Sequence, residues 1–194
     1  TGDGHLLARP TLSAEPHFIY AVGDVHGCLD ELQRLEAQIV ADAGGHEGLK
    51  LIVMLGDYVD RGPDSAGVID HLIAAPPAGF HRLCLRGNHD DVLLKVLEGS
   101  VSPEWWLDFG GEQTLLSYGY DIRHLLNRKR RGLRTLIQEF AAEFPEDHRL
   151  FLQGLPASLT TPRFFFSHAG ARPGRPLSEQ SDEDLLWIRN DFIG

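Results

Sequence analysis

Leu51-Ile52-Val53-Met54-Leu55-Gly56-Asp57-Tyr58-Val59-Asp60-Arg61-Gly62 runs from five apolar residues through a glycine into two acids and an arginine. The apolar run reads as a strand. A strand that ends in glycine and then offers a carboxylate sets that carboxylate at the carboxyl edge of a sheet, where open α/β sheets keep their sites. The same plan occurs twice more. Phe18-Ile19-Tyr20-Ala21-Val22 leads into Gly23-Asp24-Val25-His26-Gly27, and Leu83-Cys84-Leu85 with Arg86 leads into Gly87-Asn88-His89-Asp90. Asp24 and Asp57 are 33 positions apart, and Asp57 and Asn88 are 31 apart, each close to one βαβ step. Gly23, Gly56 and Gly87 suit a tight strand exit, which is easiest without a side chain.

Helical patterns fill the intervals. Leu29, Leu32, Leu35 and Ile39 recur every three or four positions, and Gly44-Gly45 ends that helix. A second helix follows Asp64-Ser65, carries Val68, Ile69, Leu72 and Ile73, and is closed by Pro76-Pro77. A third carries Val92, Leu93, Val96 and Leu97. Strand alternating with helix implies a mainly parallel sheet in an α/β fold. Residues 1–16, with Pro10 and Pro16, read as a flexible N-terminal arm, and residues 17–194 as a single domain. Within that domain about 99–154 is a helical insertion with apolar faces from Trp105, Trp106, Phe109, Leu115, Leu136 and Phe140. The basic run from Asn127 to Arg134 reads as a solvated face. Arg163 to Ser167, apolar on both sides through Phe164-Phe165-Phe166, reads as a central strand that ends at His168-Ala169-Gly170.

Composition narrows the function. The 194 residues suit one domain, and 42% hydrophobic content supports a core. A formal charge of −10 argues against a broad nucleic-acid surface. It leaves room for a phosphate substrate, because bound divalent cations reverse the sign locally. Cys28 and Cys84 are too far apart in sequence for a short-spaced pair and read as reduced thiols. No apolar run is long enough for a membrane span, and the expected location is the cytoplasm.

Asp24, His26, Asp57, Asn88 and His168 all lie immediately beyond expected strands. A mixed oxygen and imidazole set suits Mn, Fe or Zn better than Ca or Mg. Asp57, on the middle strand, is the candidate for a carboxylate that bridges two metals. Such a pair can hold the attacking and leaving oxygens of an in-line displacement. Singly each residue has an ordinary explanation: His89 could cap a helix, and Asp60 with Arg61 could be a surface ion pair. His5, His17, His46, His71, His81, His124 and His148 lie outside the motifs and read as structural or solvent-facing.

The ordered segments Gly23–Gly27, Gly56–Gly62, Gly87–Asp90, His168–Gly170 and Leu186-Trp187-Ile188-Arg189 make the chain resemble the calcineurin-like metallophosphoesterases of the phosphoprotein phosphatase class, most closely their bacterial serine/threonine branch. The resemblance implies a metallophosphoesterase β-sandwich flanked by helices and two divalent metal ions, with manganese the first expectation and iron or zinc the others. It implies that Asp24, His26 and Asp57 hold one ion, and that Asp57, Asn88 and His168 hold the second. Arg61 and Arg189 would grip phosphate oxygens. His89 would protonate the leaving oxygen, with Asp60 orienting it, while a dimetal-bridging hydroxide attacks phosphorus directly. The implied activity is a phosphomonoesterase acting on phosphorylated proteins or small phosphoesters.

The chain departs from the family pattern in one respect. A Gly-His-Thr segment, whose histidine completes the second metal's shell, and the strands after it are expected beyond Trp187-Ile188-Arg189, and the chain stops at Gly194 before them. A shortened version of a longer protein is the expectation, with apolar surface left near Phe164 to Phe166 that another copy could cover. Asp90 stands where glutamate is common in eukaryotic members. Two other readings remain. Gly-Asp-Val-His-Gly-Cys, Gly-Asn-His-Asp and His-Ala-Gly also fit symmetrical dinucleoside tetraphosphate hydrolases, and the missing ligand leaves room for a catalytically impaired phosphate-binding relic.

Overall fold

The computed structural model describes residues 6–43, 45–122, 124–125 and 132–193. Strands β1 (Phe18–Val22), β2 (Lys50–Met54) and β3 (Phe80–Cys84) form a parallel sheet in the order β1-β2-β3. Helices α1 (Leu29–Ala43) and α2 (Ser65–Ile73) make the crossovers, and α3 (Asn88–Leu97) follows β3. A second sheet pairs β4 (Ser158–Thr160) with β5 (Phe165–Ser167) in antiparallel fashion.

The central strand explains the sandwich. Successive side chains of an extended chain point to opposite faces. Ile52 and Met54 pack toward the helices with Val22, Ile69, Leu72 and Leu93. Leu51 and Val53 point the other way and pack with Leu85, Leu159 and Phe166 between the two sheets. Both faces of β2 are therefore covered, which is why its sequence is apolar without alternation. This is the α/β sandwich flanked by helices that the sequence leads one to expect.

Register then positions the site. Val22 pairs with Met54 and Met54 with Cys84, so the three strands finish level and their exit turns stand side by side. The turns approach closely enough to need glycine at two places. A Cβ on Gly56, whose φ is +106°, would lie 2.5 Å from the Gly87 nitrogen, and a Cβ on Gly87 would lie 2.1 Å from Asp57 Oδ1. Gly23 differs: a Cβ there would meet nothing within 4 Å, so close approach does not explain that glycine.

Helices α4 (Pro103–Trp106), α5 (Glu112–Ser117), α6 (Leu133–Glu143) and α7 (Glu146–Gly154) build the helical segment, with a π-helical turn (Leu107–Gly111) between α4 and α5. Trp106, Leu115, Ile137, Phe140 and Leu152 join the core formed around α1 to α3. The segment thus extends the existing core. Helices α8 (Asp182–Trp187) and α9 (Asn190–Ile193) follow β5. Among the described residues no helix is long and apolar enough to cross a membrane.

Two sequence expectations differ from the structure. Residues 7–12 are held in place: Leu7 and Arg9 contact the Asp182 carboxylate, the Ala8 and Pro10 carbonyls accept from Ala157 and Thr160, and Leu12 donates to the Thr160 carbonyl. Backbone pairing of this kind needs no side-chain pattern, which is why the proline-containing stretch reads as an arm. Second, β5 pairs with β4 alone among the described residues, and Phe164 is 48% exposed. Phe164-Phe165-Phe166 thus lies at an edge, and the apolar surface expected there is present. His5, Gly44 and residues 126–131 of the basic run lie outside the described residues. Several histidines outside the motifs are structural: His71 meets buried Glu36, which also pairs with Arg82, and His148 lies between Tyr118 and Asp70.

Candidate active site

The exit turns are bent hard. His26, Asp57, Asp60 and Arg61 have left-handed φ values of 45°, 58°, 68° and 68°, a region that costs an L residue about 1–2 kcal/mol. Such outliers persist only where the surroundings hold them, and they gather at functional sites. Here the Asp57 carbonyl accepts from Val25 and His26, and the Arg61 N–H donates to the Gly110 carbonyl. The wholly buried Asp90 carboxylate accepts from the backbone N–H groups of Gly87, Asp57 and Tyr58, each at 2.9 Å. One carboxylate therefore staples the second exit turn to the third.

The side chains on these turns converge. In two triads, His26-Asp57-His89 and Asp24-Asp57-His168, a donor atom from each residue lies within 4.8 Å of the others. Asp57 belongs to both. His26 Nδ1 donates to the Val59 carbonyl at 2.8 Å and His168 Nδ1 to the Leu55 carbonyl at 2.9 Å. Those bonds fix each tautomer and leave the Nε2 lone pairs facing inward, as backbone carbonyls do for metal-binding histidines. Asp57 Oδ2 lies 3.6 Å from His26 Nε2 and 3.5 Å from His168 Nε2.

These contacts join acceptor to acceptor, which a cation reconciles. Two ligands each about 2.1 Å from a tetrahedral metal lie roughly 3.4 Å apart, close to the spacing seen. Asn88 tells the same story. Its side-chain oxygen lies 2.8 Å from His168 Nε2, and that position is 3.1 and 3.2 Å from the Asp57 carboxylate oxygens. The oxygen faces only acceptors; a cation satisfies it, as does turning the amide so that its NH2 donates. Arg61 already supplies a positive charge, with guanidinium nitrogens 3.1 Å from His26 Nε2 and 2.8 Å from His89 Nε2. The donor set fits divalent cations.

Electrostatics agree. Burial raises the Asp57 carboxyl to about 6, helped by the nearby Asp24 charge. Burial and the Asp57 charge raise Asp90 to about 7. Both are carboxylates in want of positive charge, which a bound cation would supply. Burial also holds His26 below the usual imidazole value, so it is neutral and able to ligate near pH 7.

His89 is built differently. Its Nδ1 lies 2.9 Å from Asp60 Oδ2, and both side chains are buried. Asp60 in turn accepts from Thr114 Oγ1 at 2.7 Å and Trp106 Nε1 at 3.2 Å. Its backbone N–H donates to Thr114 Oγ1 and Ser65 Oγ. A carboxylate held this firmly fixes the orientation of the imidazole through Nδ1, as positioned proton transfer requires. Phe109 stacks on the ring at 3.9 Å and 12°, while His26 meets it edge-on at 4.7 Å.

The structure thus gathers Asp24, His26, Asp57, Asn88, His168, His89, Asp60 and Arg61 at one sheet edge. Arg189 is exposed just past α8, and its guanidinium has no hydrogen bond or ion pair with another described residue. Its neighbour Trp187 lies 5.9 Å from Phe109. Roles that the sequence did not assign are those of Asp90, Thr114 and Ser65 as partners in the turns, of Trp106 as a donor and of Phe109 as a stacking partner. For Asp90 a signal existed: an acid three residues after Gly87 at a helix start is placed to cap it.

A family model described as calcineurin-like phosphoesterase matches residues 19–192. Over 82 residues the chain is 39% identical to a symmetrical bis(5'-nucleosyl)-tetraphosphatase of Dechloromonas aromatica (strain RCB), a match to 42% of this chain and 27% of that protein. The chain therefore matches well under two thirds of that relative's length. A crystal structure provisionally assigned as a diadenosine tetraphosphatase aligns with a TM-score of 0.60 at 25% identity, over 95% of this chain and 64% of that one. A Saccharomyces cerevisiae protein serine/threonine phosphatase aligns with a TM-score of 0.50 at 18% identity, over 93% and 52%, a likeness of fold.

Proposed function

The chain belongs to the calcineurin-like phosphoesterase family, and from that premise we propose that it is a dimetal hydrolase of dinucleoside tetraphosphates, cutting the central anhydride to leave two nucleoside diphosphates. The observation that carries the hydrolase reading is the Asp57 carboxylate, set between the inward lone pairs of His26 and His168. The substrate class follows the relatives named as symmetrical bis(5'-nucleosyl)-tetraphosphatases. The phosphoprotein reading drawn from Tyr58-Val59-Asp60-Arg61-Gly62 and Leu186-Trp187-Ile188-Arg189 has only a likeness of fold behind it.

Asp24, His26, Asp57, Asn88 and His168 would hold the ions. Two divalent cations, when bound, supply Lewis-acid polarisation and positive charge around the reacting phosphate. Arg61 turns from the two imidazoles onto phosphate oxygens, where its fork makes charge-assisted bonds, and Arg189 approaches from the α8 end. That movement frees His89 Nε2. Water adds to one central phosphorus and gives up a proton to solvent, while the bond from that phosphorus to the bridging oxygen breaks. His89, protonated at Nε2 from solvent once Arg61 has moved, delivers that proton to the departing oxygen and becomes neutral, while Asp60 holds the ring in place.

The test is a comparison of manganese-loaded protein on diadenosine tetraphosphate and on a phosphothreonine peptide. Two molecules of ADP per substrate, formed faster than phosphate from the peptide, is the expected result. Faster peptide dephosphorylation, or products other than ADP, would overturn the substrate assignment.

A further inference from the structure

Trp105 is 46% exposed, whereas the adjacent Trp106 is fully buried and bonded to Asp60. The exposed indole nevertheless has a fixed neighbour. It stacks on Phe109 at 4.9 Å and 16°, and Phe109 stacks on His89 at 3.9 Å and 12°. Three near-parallel rings therefore lead from solvent to the imidazole assigned to proton donation. Local structure sets the stack up. Ser102 caps α4 by accepting from the Trp105 N–H, Trp105 and Phe109 are four positions apart on one helical face, and Gly110, at φ 118°, breaks the turn just beyond Phe109.

We propose that the outer face of Trp105 seats the nucleobase of the departing nucleotide, making it a substrate-selecting residue; this rests on the dinucleoside tetraphosphate reading. Direction supports it. His89 protonates the oxygen that leaves, so the departing half lies on the His89 side, where the stack begins. Reach supports it too, because ring spacings of 3.9 and 4.9 Å separate the imidazole from the indole, a span that a diphosphate and a ribose can bridge. The surface also has the chemistry. An aromatic plane backed by a second ring offers a rigid π-face, and every base stacks on such a face without a hydrogen-bonding code. A buried ring would suffice merely to prop Phe109.

The experiment uses the whole manganese-loaded chain and two substrates with the same anhydride, diadenosine tetraphosphate and inorganic tetraphosphate. Base stacking predicts that Trp105→Ala lowers the ratio of their kcat/KM values by about 5- to 150-fold. Trp105→Phe should keep most of the ratio. Calorimetric titration with ADP supplies a readout free of turnover: Trp105→Ala should weaken the Kd by a similar factor while inorganic phosphate binding holds. An unchanged ratio, meaning both substrates fall together, would make Trp105 a prop for His89 and overturn the inference. If the wild-type protein cleaves neither tetraphosphate, the substrate assignment fails. The ADP titration then still decides the stacking, since an unchanged Kd or no ADP binding overturns it.

Discussion

Asp60→Asn changes almost no volume yet reverses one hydrogen bond at the centre of the site. Thr114 Oγ1 and Trp106 Nε1 both donate to Asp60 Oδ1, at 2.7 and 3.2 Å, so an asparagine would place its oxygen there. Its NH2 would then face His89 Nδ1, which lies 2.9 Å from Asp60 Oδ2 in the native protein. A donor at that point forces Nδ1 to accept and removes the countercharge of the imidazolium. The acid is lost while the ring stays in place. Positioned proton transfer is worth about 10²–10⁴ in rate. For phenyl phosphate, whose phenolate leaves poorly, kcat should fall by about that factor. For p-nitrophenyl phosphate, whose anion departs unprotonated, the loss should stay under about tenfold. Losing charge-assisted bonds of about 1.5–3 kcal/mol should also lower Tm by about 4–10 °C. Steady-state rates on both esters with saturating manganese, alongside a thermal melt, make the check. Equal losses on the two esters, or none on phenyl phosphate, would refute the role given to the Asp60–His89 pair.

Asp90→Ala strips the acceptor from three buried backbone N–H groups, and an orphaned buried donor costs about 1–3 kcal/mol. Denaturant unfolding should show a loss of roughly 3 kcal/mol or more, and manganese affinity should fall with it. Stability of the metal-free protein should decline as pH rises from about 4 to about 7. Unfolded Asp57 and Asp90 release their protons near 3.8, whereas the folded chain keeps them until about 6 and 7, so the folded state binds more protons across that window. Chemical denaturation at several pH values checks the slope, and added manganese should flatten it. Arg61→Ala removes the guanidinium that donates to His26 and His89. Calorimetry should then show manganese binding at least as tightly as in the native protein, although turnover falls.

The metal-type residues were legible because each follows a strand end within four positions, and the parallel strands β1, β2 and β3, which finish level, bring Asp24, His26, Asp57 and Asn88 together. Asp57 belongs to both triads because β2 lies in the middle of the sheet. What supports His89 was not legible. Trp106 and Thr114 lie 46 and 54 positions from Asp60, and nothing local marks a buried tryptophan as a donor to a distant acid. The helical segment therefore read as apolar filling, although it supplies Trp106, Thr114 and Phe109 to the surroundings of Asp60 and His89. Residues 7–12 were misread because their hold is backbone pairing to β4 and a clamp on Asp182. The phenylalanine run at 164–166 shows the opposite failure, since apolar character on both faces predicts a central strand but does not supply neighbours to pair with.

Anomalous diffraction from manganese-soaked crystals at the metal's absorption edge bears most directly on the account. Two peaks should appear, one on each side of the Asp57 carboxylate, bounded by His26 and Asp24 on one side and by Asn88 and His168 on the other. Arg61 should be turned away from His26 Nε2. A cluster that collects no manganese, or peaks that leave Asp57 untouched, would contradict it.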